Sequence, residues 1–162
     1  GKVTPGPERS LARIDRNWTE RSMAINAIGP LMFSQAILPM MKNLRQKDAN
    51  RAKAIIVNMS ARVGSISDNE LGGWFSYRMS KAALNMATRT MAHEVKRYGV
   101  WAVSLHPGTT NTDLSKPFQG NVQKERLFPV EFTVGQLLDV VDSLEESHSG
   151  GFYDWAGKAL PF

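Results

Sequence analysis

Two short, apolar, β-branched runs separated by a long helical pattern constrain the fold of this chain more than any other feature. The runs are 54–59 and 100–105, and an apolar stripe at helical spacing covers about 74–97 between them. Runs of this length suit strands that are buried on both faces, as in a parallel sheet. Parallel neighbours need a crossover connection, and a helix that Gly99 ends would supply it. The pattern therefore predicts an α/β protein.

The segments before and after these runs extend the same alternation. Residues up to about 9 are rich in Gly and Pro and predict a loop, and a helical pattern follows over about 10–44. Pro30 lies inside this pattern and lacks a backbone donor, so we expect a kink or break near 26–29. A long loop to about residue 131 follows the second run, which indicates a functional lid or a disordered segment.

The end of the chain supplies one more helix and one more strand. Thr133 is predicted to cap a helix that runs to Ser143, and 151–155 is predicted to form a third short strand. This order of elements predicts right-handed crossovers and a partial doubly wound, Rossmann-like parallel sheet with flanking helices. We expect residues 1–162 to form a single domain.

Composition narrows the function classes. The chain contains no cysteine, which excludes disulfides, thiolate metal sites and cysteine nucleophiles, and its three histidines are widely spaced, so we predict no metal site. The net charge is +5, yet the densest basic stretch, 42–53, is interrupted by Asp48 and contains no aromatic residue. We therefore predict a solvated loop and no nucleic-acid partner. No run of 18 apolar residues occurs, so we predict no membrane span.

Tyr77 and Lys81 are the first candidates for catalysis. They stand four residues apart in a predicted helix, so both side chains project from one face. A free phenol titrates near about 10, and a neighbouring ammonium favours the phenolate, which would allow proton exchange near neutral pH. The spacing alone favours a surface tyrosine beside a solvated lysine, because such pairs often arise by chance.

Other segments occur in the order that one catalytic site would need. Asn26 to Gly29 reads Asn-Ala-Ile-Gly, 56–60 reads Ile-Val-Asn-Met-Ser, and 106–108 reads His-Pro-Gly. Segments 60–66, Ser-Ala-Arg-Val-Gly-Ser-Ile, and 72–78, Gly-Gly-Trp-Phe-Ser-Tyr-Arg, complete the pattern. Over essentially the whole chain these sequence segments resemble those of the classical short-chain dehydrogenase/reductases (SDRs), and among them the carbonyl reductases similar to sniffer and C-factor.

The resemblance implies an NAD(P)-dependent oxidoreductase that reduces a carbonyl, or oxidises an alcohol, by hydride transfer. It implies that Tyr77 is the general acid/base, which protonates the carbonyl oxygen as hydride arrives from the nicotinamide. It further implies that Lys81 lowers the pKa of Tyr77 and holds the nicotinamide ribose hydroxyls. Asn26 matches the asparagine that holds a water linking this lysine to solvent. The implied cofactor is NADP or NAD, with NADP favoured.

The resemblance also implies a cofactor contact after the second strand. Pro107 and Gly108 would let the backbone approach the nicotinamide, since glycine has no Cβ to obstruct it. Thr110 and Thr112 match positions that contact the carboxamide and a nearby phosphate. In the loop that follows, Phe118 and Phe128 predict either an apolar substrate wall or the anchors of a lid.

Two departures from the family pattern bear on activity. The family strand ends Asn-x-Ser-Ser, and its second serine hydrogen-bonds the substrate carbonyl, but here that position is Ala61. We assign the serine role to Ser60, the nearest hydroxyl, with Ser65 as a second candidate. Losing one such donor typically costs on the order of a hundredfold or more in rate. The glycine-rich cofactor turn is also absent, so we expect a C-terminal catalytic half without the N-terminal strands and without tight dinucleotide binding.

These departures leave an alternative open. The chain would then be a truncated, catalytically inactive SDR-like protein that acts as an interaction or dimerisation module. Under either reading we expect a homodimer through the two long helices, and for the enzyme a small carbonyl or alcohol substrate. We expect a cytoplasmic location, while an organelle stays open because Gly1 need not be the native N-terminus.

Overall fold

Helices and strands alternate along the chain as the apolar pattern predicts. The computed structural model describes residues 7–162, apart from the side chains of Phe118 and Asn121, so most of the predicted opening loop lies outside it. The helices are α1 (Arg16–Met23), α2 (Gly29–Lys42), α3 (Phe75–Val95) and α4 (Val130–Ser143). The strands are β1 (Ala54–Met59), β2 (Val100–His106), β3 (Thr109–Thr110), β4 (Leu127–Phe128) and β5 (Phe152–Asp154).

A three-stranded parallel sheet in the order β1-β2-β5 forms the centre of the described chain. Its register pairs Ala54 with Val100, and Ser104 with Phe152. A second parallel pair joins β3 to β4. The predicted α/β class with a partial parallel sheet and flanking helices is confirmed.

The two faces of this sheet are buried under different helices. On one face, Ile56, Val100 and Ala102 pack against residues of α3, and Leu38 and Met41 of α2 add to this cluster. The opposite face of β2 packs against α4 through the cluster of Trp101, Val103, Leu105, Val140 and Leu144. β2 is therefore the strand that is buried on both sides, as its continuous apolar run predicts.

The same prediction was wrong for one face of β1. Ile56 and Asn58 are buried beneath α3, but Val57 is 36% exposed and Met59 is 45% exposed. β1 is one of the two edge strands of the described sheet, and α4 covers the neighbouring strand β2 instead. An apolar run cannot reveal which of its two faces a helix will cover.

The first helical pattern contains the predicted irregularity. Between α1 and α2, Ala24–Ile28 forms a π-helical segment in which the Gly29 N–H donates to Ala24 O, five residues back. Pro30 stands at the start of α2, where its missing N–H is tolerated. The helix is thus widened by a π turn and remains continuous. At its beginning, Asp15 caps α1 by accepting from the Trp18 N–H at 2.7 Å.

The predicted cap of the last helix was wrong. α4 begins at Val130, after Pro129, and Thr133 lies one turn inside it. The buried Thr133 hydroxyl instead meets the Thr110 hydroxyl at 3.0 Å. A hydroxyl committed to this tertiary contact is not positioned as a helix cap.

One helical stretch, Arg16–Lys42, is long and apolar enough to cross a membrane by length and composition, with a mean hydropathy of 1.3 over its most apolar window. Such a stretch is weak evidence, since core helices and N-terminal signal sequences meet the same criterion. Thr19 and Asn26 attach this stretch to α3 through hydrogen bonds. Polar residues interrupt the apolar run in the sequence, but the helix continues through them. The absence of a membrane span therefore stays a prediction.

Candidate active site

Most of the predicted site residues lie at the carboxyl ends of β1 and β2 and on the first turns of α3. This is the edge of a parallel sheet at which ligands of open α/β folds bind. Tyr77 is the third residue of α3, and Lys81 follows one turn later. The Lys81 Nζ lies 5.7 Å from the centre of the Tyr77 ring. The two side chains therefore share one face of the helix, as their spacing predicts.

Lys81 is held against the end of β1. Only 8% of the residue is exposed, and its Nζ donates a hydrogen bond to Met59 O at 2.7 Å. Burial lowers the pKa of Lys81 to about 8, because removal from water disfavours the ammonium. The lysine is thus still mainly charged at neutral pH and close to titration.

The pKa of Tyr77 is shifted in the direction opposite to the one that its lysine neighbour predicts. Burial raises the pKa of the Tyr77 phenol above 10.0. The Lys81 ammonium lies 5.7 Å from the centre of the Tyr77 ring and donates to Met59 O. At neutral pH Tyr77 is therefore a neutral phenol that carries a proton to donate.

The depressed pKa of Lys81 predicts a rise of stability with pH. The pKa of lysine is 10.5 before burial, so between about pH 8 and 10.5 the unfolded chain binds more protons than the folded one, and unfolding becomes harder as pH rises. From pH 7 to 9.5, below the range of Tyr77, we expect the wild type to gain about 2 kcal/mol in unfolding free energy relative to Lys81→Met.

Urea unfolding at several pH values measures this difference. The exposed Lys124 provides the matched control, and Lys124→Met should follow the wild type throughout. A constant gap between the wild type and Lys81→Met over this pH range would contradict the assignment.

Asn26 reaches Tyr77 through an intermediate hydroxyl. It lies in the π segment, and its Nδ2 donates to Ser80 Oγ at 3.1 Å. Ser80 Oγ in turn donates to the Tyr77 carbonyl at 2.8 Å. The structure thus brings Asn26, Tyr77 and Lys81 into one neighbourhood. The water-holding role that the family resemblance implies for Asn26 stays a prediction.

The hydroxyls that were candidates for the missing family serine are buried. Ser60 is 2% exposed, and its Oγ has no hydrogen-bond partner among the described residues. The buried Ser65 Oγ accepts from the Asp68 N–H at 3.1 Å. Ala61, between them, has extended backbone and a buried methyl group. The assignment of the serine role to Ser60 therefore stays a prediction.

His106 is a polar group that the sequence reasoning did not assign. The register of β1 and β2 places it beside Ser60 at the carboxyl edge, where Ser60 N donates to Leu105 O. Its Nδ1 is buried and has no partner within the described part of the chain. Burial lowers the pKa of His106 to about 4 in spite of the opposing charge of Asp154. The imidazole is therefore neutral at physiological pH. The sequence signal that could have identified His106 was its position directly before Pro107, at the end of the second predicted strand.

Gly108 is required by aromatic packing. Its backbone has φ +72°, and a Cβ there would lie 2.8 Å from Phe128 Cε2 and 2.9 Å from Trp155 Cδ1. Phe128 and Trp155 meet edge to face at 4.6 Å, and Phe132 joins them. The glycine thus lets two rings close over the turn, in addition to any approach of a nicotinamide.

This cluster supports the reading of Phe128 as an anchor, while its place in an apolar substrate wall stays a prediction. The ring packs against Gly108 and Trp155, so Phe128 anchors the segment that follows β2 to the end of β5. The β3 and β4 pair closes the neck of the same segment, where Asn111 N donates to Phe128 O. The Phe118 side chain, the other predicted aromatic, lies outside the described residues.

The two threonines predicted for the cofactor differ in their surroundings. Thr110 lies on β3 and pairs with Thr133, as described above. Thr112 is exposed, and its N–H donates to Ser115 Oγ at 3.1 Å. The structure therefore keeps Thr110 close to the Pro107 and Gly108 turn and leaves Thr112 at the surface of the segment. Their cofactor roles stay predictions.

Arg78 contributes to the site in a way that the sequence reasoning missed. Its guanidinium donates to the carbonyls of Gly73, Val63 and Gly72 at 3.0, 3.2 and 3.2 Å. It therefore fixes the loop that leads into α3 just before Tyr77. The paired glycines at 72 and 73, both with positive φ, indicated a turn, but no local pattern indicated what would hold it.

Gly64 packs closely against the Lys81 backbone, and its replacement tests this packing. A Cβ at Gly64 would lie 2.7 Å from Lys81 Cβ and 2.8 Å from its carbonyl carbon. Overpacking of this kind costs about 1–3 kcal/mol, so Gly64→Ala should lower the unfolding free energy by this amount. Gly135→Ala, in open space on α4, should instead add about 0.5–1 kcal/mol. Thermal unfolding compares the two variants, and equal stability would contradict the close contact.

The described residues contain no candidate metal site. Within 7–162, no group of three or more His, Cys, Asp or Glu side chains is placed to hold a metal ion. The Tyr77, Lys81 and Asn26 group consists of proton donors and acceptors around a protected edge. Such an arrangement suits proton transfer to a bound ligand.

Comparison with known proteins places this geometry in a family. A family profile described as short chain dehydrogenase matches residues 6–123. The C-signal protein of Myxococcus xanthus is 37% identical over 153 residues, which are 94% of this chain and 84% of that protein. Carbonyl reductase Sniffer of D. melanogaster superposes with a TM-score of 0.87 at 28% identity, covering 100% of this chain and 64% of the other. The NADPH-bound carbonyl reductase from chicken fatty liver has a TM-score of 0.84 at 35% identity, covering 98% and 63%.

These matches differ in how much of each relative they span. The chain covers less than two thirds of the two carbonyl reductase chains and 50–61% of several other curated relatives, which are named as dehydrogenases or oxidoreductases. The family profile nevertheless matches well over half of this chain. The chain therefore belongs to the short-chain dehydrogenase family, and its relatives include C-signal and the carbonyl reductases of the Sniffer type.

Proposed function

We propose that this chain carries the proton-transfer site of an NAD(P)-dependent oxidoreductase that reduces a small carbonyl compound or oxidises the corresponding alcohol. The observation that carries the proposal is the pair of Tyr77 and Lys81, both withdrawn from water at the carboxyl edge of the sheet. A neutral phenol beside a buried ammonium can give up a proton and have the resulting charge stabilised. The chemistry of the family supports this role.

The donors at this edge fit a nicotinamide nucleotide. The Lys81 ammonium has three N–H donors, of which Met59 O takes one among the described contacts, so others can reach the adjacent hydroxyls of a ribose. Pro107 and Gly108 follow the end of β2 at the same edge of the sheet, and their contact with the nicotinamide is part of this proposal. We favour NADP over NAD because the related chicken carbonyl reductase is described as NADPH-bound. When bound, this cofactor supplies or accepts the hydride.

The residues of the chain supply the proton and stabilise the charges that form during the reaction. Tyr77 donates its proton to the carbonyl oxygen of the substrate. Lys81, charged at neutral pH, stabilises the phenolate that this transfer leaves. Asn26 holds the turn that carries Tyr77 through Ser80 and would hold the water that returns the proton. Ser60, or Ser65, would hydrogen-bond the substrate oxygen.

Calorimetry with NADPH and NADH provides the first test of this proposal. We expect binding, with NADPH preferred, but with a dissociation constant above about 1 µM, because no glycine-rich turn in this sequence cradles a pyrophosphate. Lys81→Met should weaken binding further, whereas the exposed Lys124→Met should not. Submicromolar binding would contradict the expected weakness, and no detectable binding would contradict the cofactor assignment.

A second candidate function is an interaction or dimerisation module without catalysis. The observation that favours it is a set of exposed apolar side chains on α2, the π segment and α3, namely Ile25, Ile28, Met32, Phe33, Met79 and Met86. Such side chains favour burial against a partner. A homodimer through the two long helices would bury them, in an enzyme as well as in a module. Ala61 adds weight to the second candidate because it removes a catalytic hydroxyl.

Sedimentation and substitution separate oligomerisation from catalysis. We expect a dimer that Ile28→Glu dissociates, whereas Leu114→Glu, at an exposed site away from these helices, leaves it intact. A monomeric wild type would contradict the homodimer. Catalysis is decided by the Tyr77 variant treated in the Discussion.

The remaining partner and location predictions belong to the same proposal. We propose a cytoplasmic protein that binds neither nucleic acid nor membrane. Retention on a polyanion column at moderate salt, or co-sedimentation with lipid vesicles, would contradict these two absences.

A further inference from the structure

A carboxylate near the start of the described chain is buried against the first turn of α3. Glu8 is 4% exposed. Its Oε2 accepts from the Ser76 N–H at 3.3 Å, and its Oε1 accepts from the Ser76 hydroxyl. The Glu8 backbone carbonyl accepts from the Trp74 N–H at 2.6 Å. Both the side chain and the backbone of Glu8 therefore bind the residues that immediately precede Tyr77.

These contacts replace a cap that the local sequence of α3 does not provide. The first N–H groups of a helix lack partners within the helix, and a short polar side chain usually supplies an acceptor. Here Trp74 holds the N-cap position in a left-handed conformation, φ 55°, and an indole can donate but cannot accept a hydrogen bond. The carboxylate of Glu8, 68 residues away in sequence, supplies the acceptor.

Charge and burial favour the same arrangement. The N-terminus of a helix carries partial positive charge, so a carboxylate is stabilised there. Ser76 is fully buried, and its hydroxyl also meets Thr19 Oγ1 of α1 at 2.7 Å. Loss of the Glu8 carboxylate would leave buried donors of Ser76 without their acceptor. The first turn of α3 is thus tied to two distant parts of the chain.

We propose that Glu8 is a positioning residue for Tyr77, acting through Ser76 and the first turn of α3. Tyr77 directly follows Ser76, and its ring meets Trp74 edge to face at 6.2 Å. Glu8 hydrogen-bonds both Trp74 and Ser76. The orientation of the phenol therefore depends on a residue that does not touch it. This inference rests on the proposed role of Tyr77 as the proton donor.

Amide hydrogen exchange and tyrosine titration, both followed by NMR, test the proposal without any cofactor. The variants are Glu8→Ala, which removes the acceptor, and Glu8→Gln, which keeps a neutral one. Glu94→Ala is the matched control, since Glu94 is an exposed glutamate near the other end of α3. Spectra of Tyr77→Phe identify the Tyr77 signal.

In Glu8→Ala we expect the protection of the Ser76 amide to fall about fivefold to tenfold relative to Leu84, which lies deeper in the same helix. The phenol of Tyr77 should become more hydrated, and its pKa should move down towards 10.0. Glu8→Gln should show smaller changes in the same direction, because its amide oxygen can still accept from Ser76. Glu94→Ala should leave both readouts unchanged.

Unchanged Ser76 protection and an unchanged Tyr77 titration in Glu8→Ala would overturn the proposal. A uniform loss of protection along α3 would overturn it as well, because it would mark Glu8 as a general stabiliser. If Glu8→Ala does not fold, the same comparison in Glu8→Gln decides. None of these readouts requires catalysis, so they can succeed or fail independently of whether Tyr77 proves to be the acid.

Discussion

Replacement of Tyr77 by phenylalanine is expected to lower the rate of NADPH-dependent carbonyl reduction by about 10²- to 10⁴-fold, the usual contribution of a positioned general acid. Phenylalanine keeps the buried ring and its contact with Trp74 and removes only the hydroxyl. The loss should therefore appear in kcat, with the thermal unfolding midpoint little changed. Steady-state kinetics of the full-length gene product, with a panel of small aldehydes and ketones as substrates, measures this loss of kcat.

Tyr98→Phe is the matched control for this experiment. Its ring contacts the Lys42 ammonium and the Arg97 guanidinium beyond the end of α3, far along the helix from Tyr77. It should retain full activity. Retention of activity by Tyr77→Phe would remove this residue as the acid. Absence of reduction in the wild type as well as in the variant would favour the interaction module.

Replacement of Ala61 by serine is expected to raise kcat by about tenfold to a hundredfold. Ala61 directly follows Ser60 at the carboxyl end of β1, with extended backbone. Its methyl group cannot donate a hydrogen bond to the developing oxyanion, and one such donor is typically worth about a hundredfold or more. The gain should fall on kcat, with KM nearly unchanged, because the interaction strengthens in the transition state.

Ser60→Ala, alone and combined with Ala61→Ser, shows which hydroxyl acts. If Ser60 already serves the substrate, Ser60→Ala lowers kcat and Ala61→Ser restores it. If Ser60 is only a buried polar group, Ser60→Ala leaves kcat unchanged in both backgrounds. An Ala61→Ser variant with wild-type kcat would contradict the view that this position limits the rate.

The sequence predicted most of the fold because its strands and helices are strongly patterned. β1 and β2 are short apolar runs, and α3 has a long apolar stripe ended by Gly99, whose φ is +68°. The exposure of Val57 and Met59 could not be predicted, since it depends on which neighbours cover an edge strand. The capping role of Thr133 failed for a similar reason, because a distant threonine binds its hydroxyl.

The candidate site was predictable where its residues share one helix, and it was not where they meet from distant parts of the chain. Tyr77 and Lys81 follow from a spacing of four. Burial, which a spacing does not report, raises the pKa of Tyr77, and the lowering of this pKa by Lys81 stays a prediction. The contacts of Glu8 with Ser76 span 68 residues and leave no local pattern.

The π segment at Ala24–Ile28 also determines the phase of the first long helix. A π turn holds about one residue more than an α turn, so the residues before it are rotated by about 100° relative to an unbroken α-helix. Thr19, before the turn, and Asn26, within it, both bind α3 with this offset. Removal of one residue from the segment would restore regular winding and turn Thr19 away from Ser76. The extra residue therefore sets the angle between the Thr19 side of the helix, which binds α3, and the Leu38 and Met41 side of α2, which packs against the sheet.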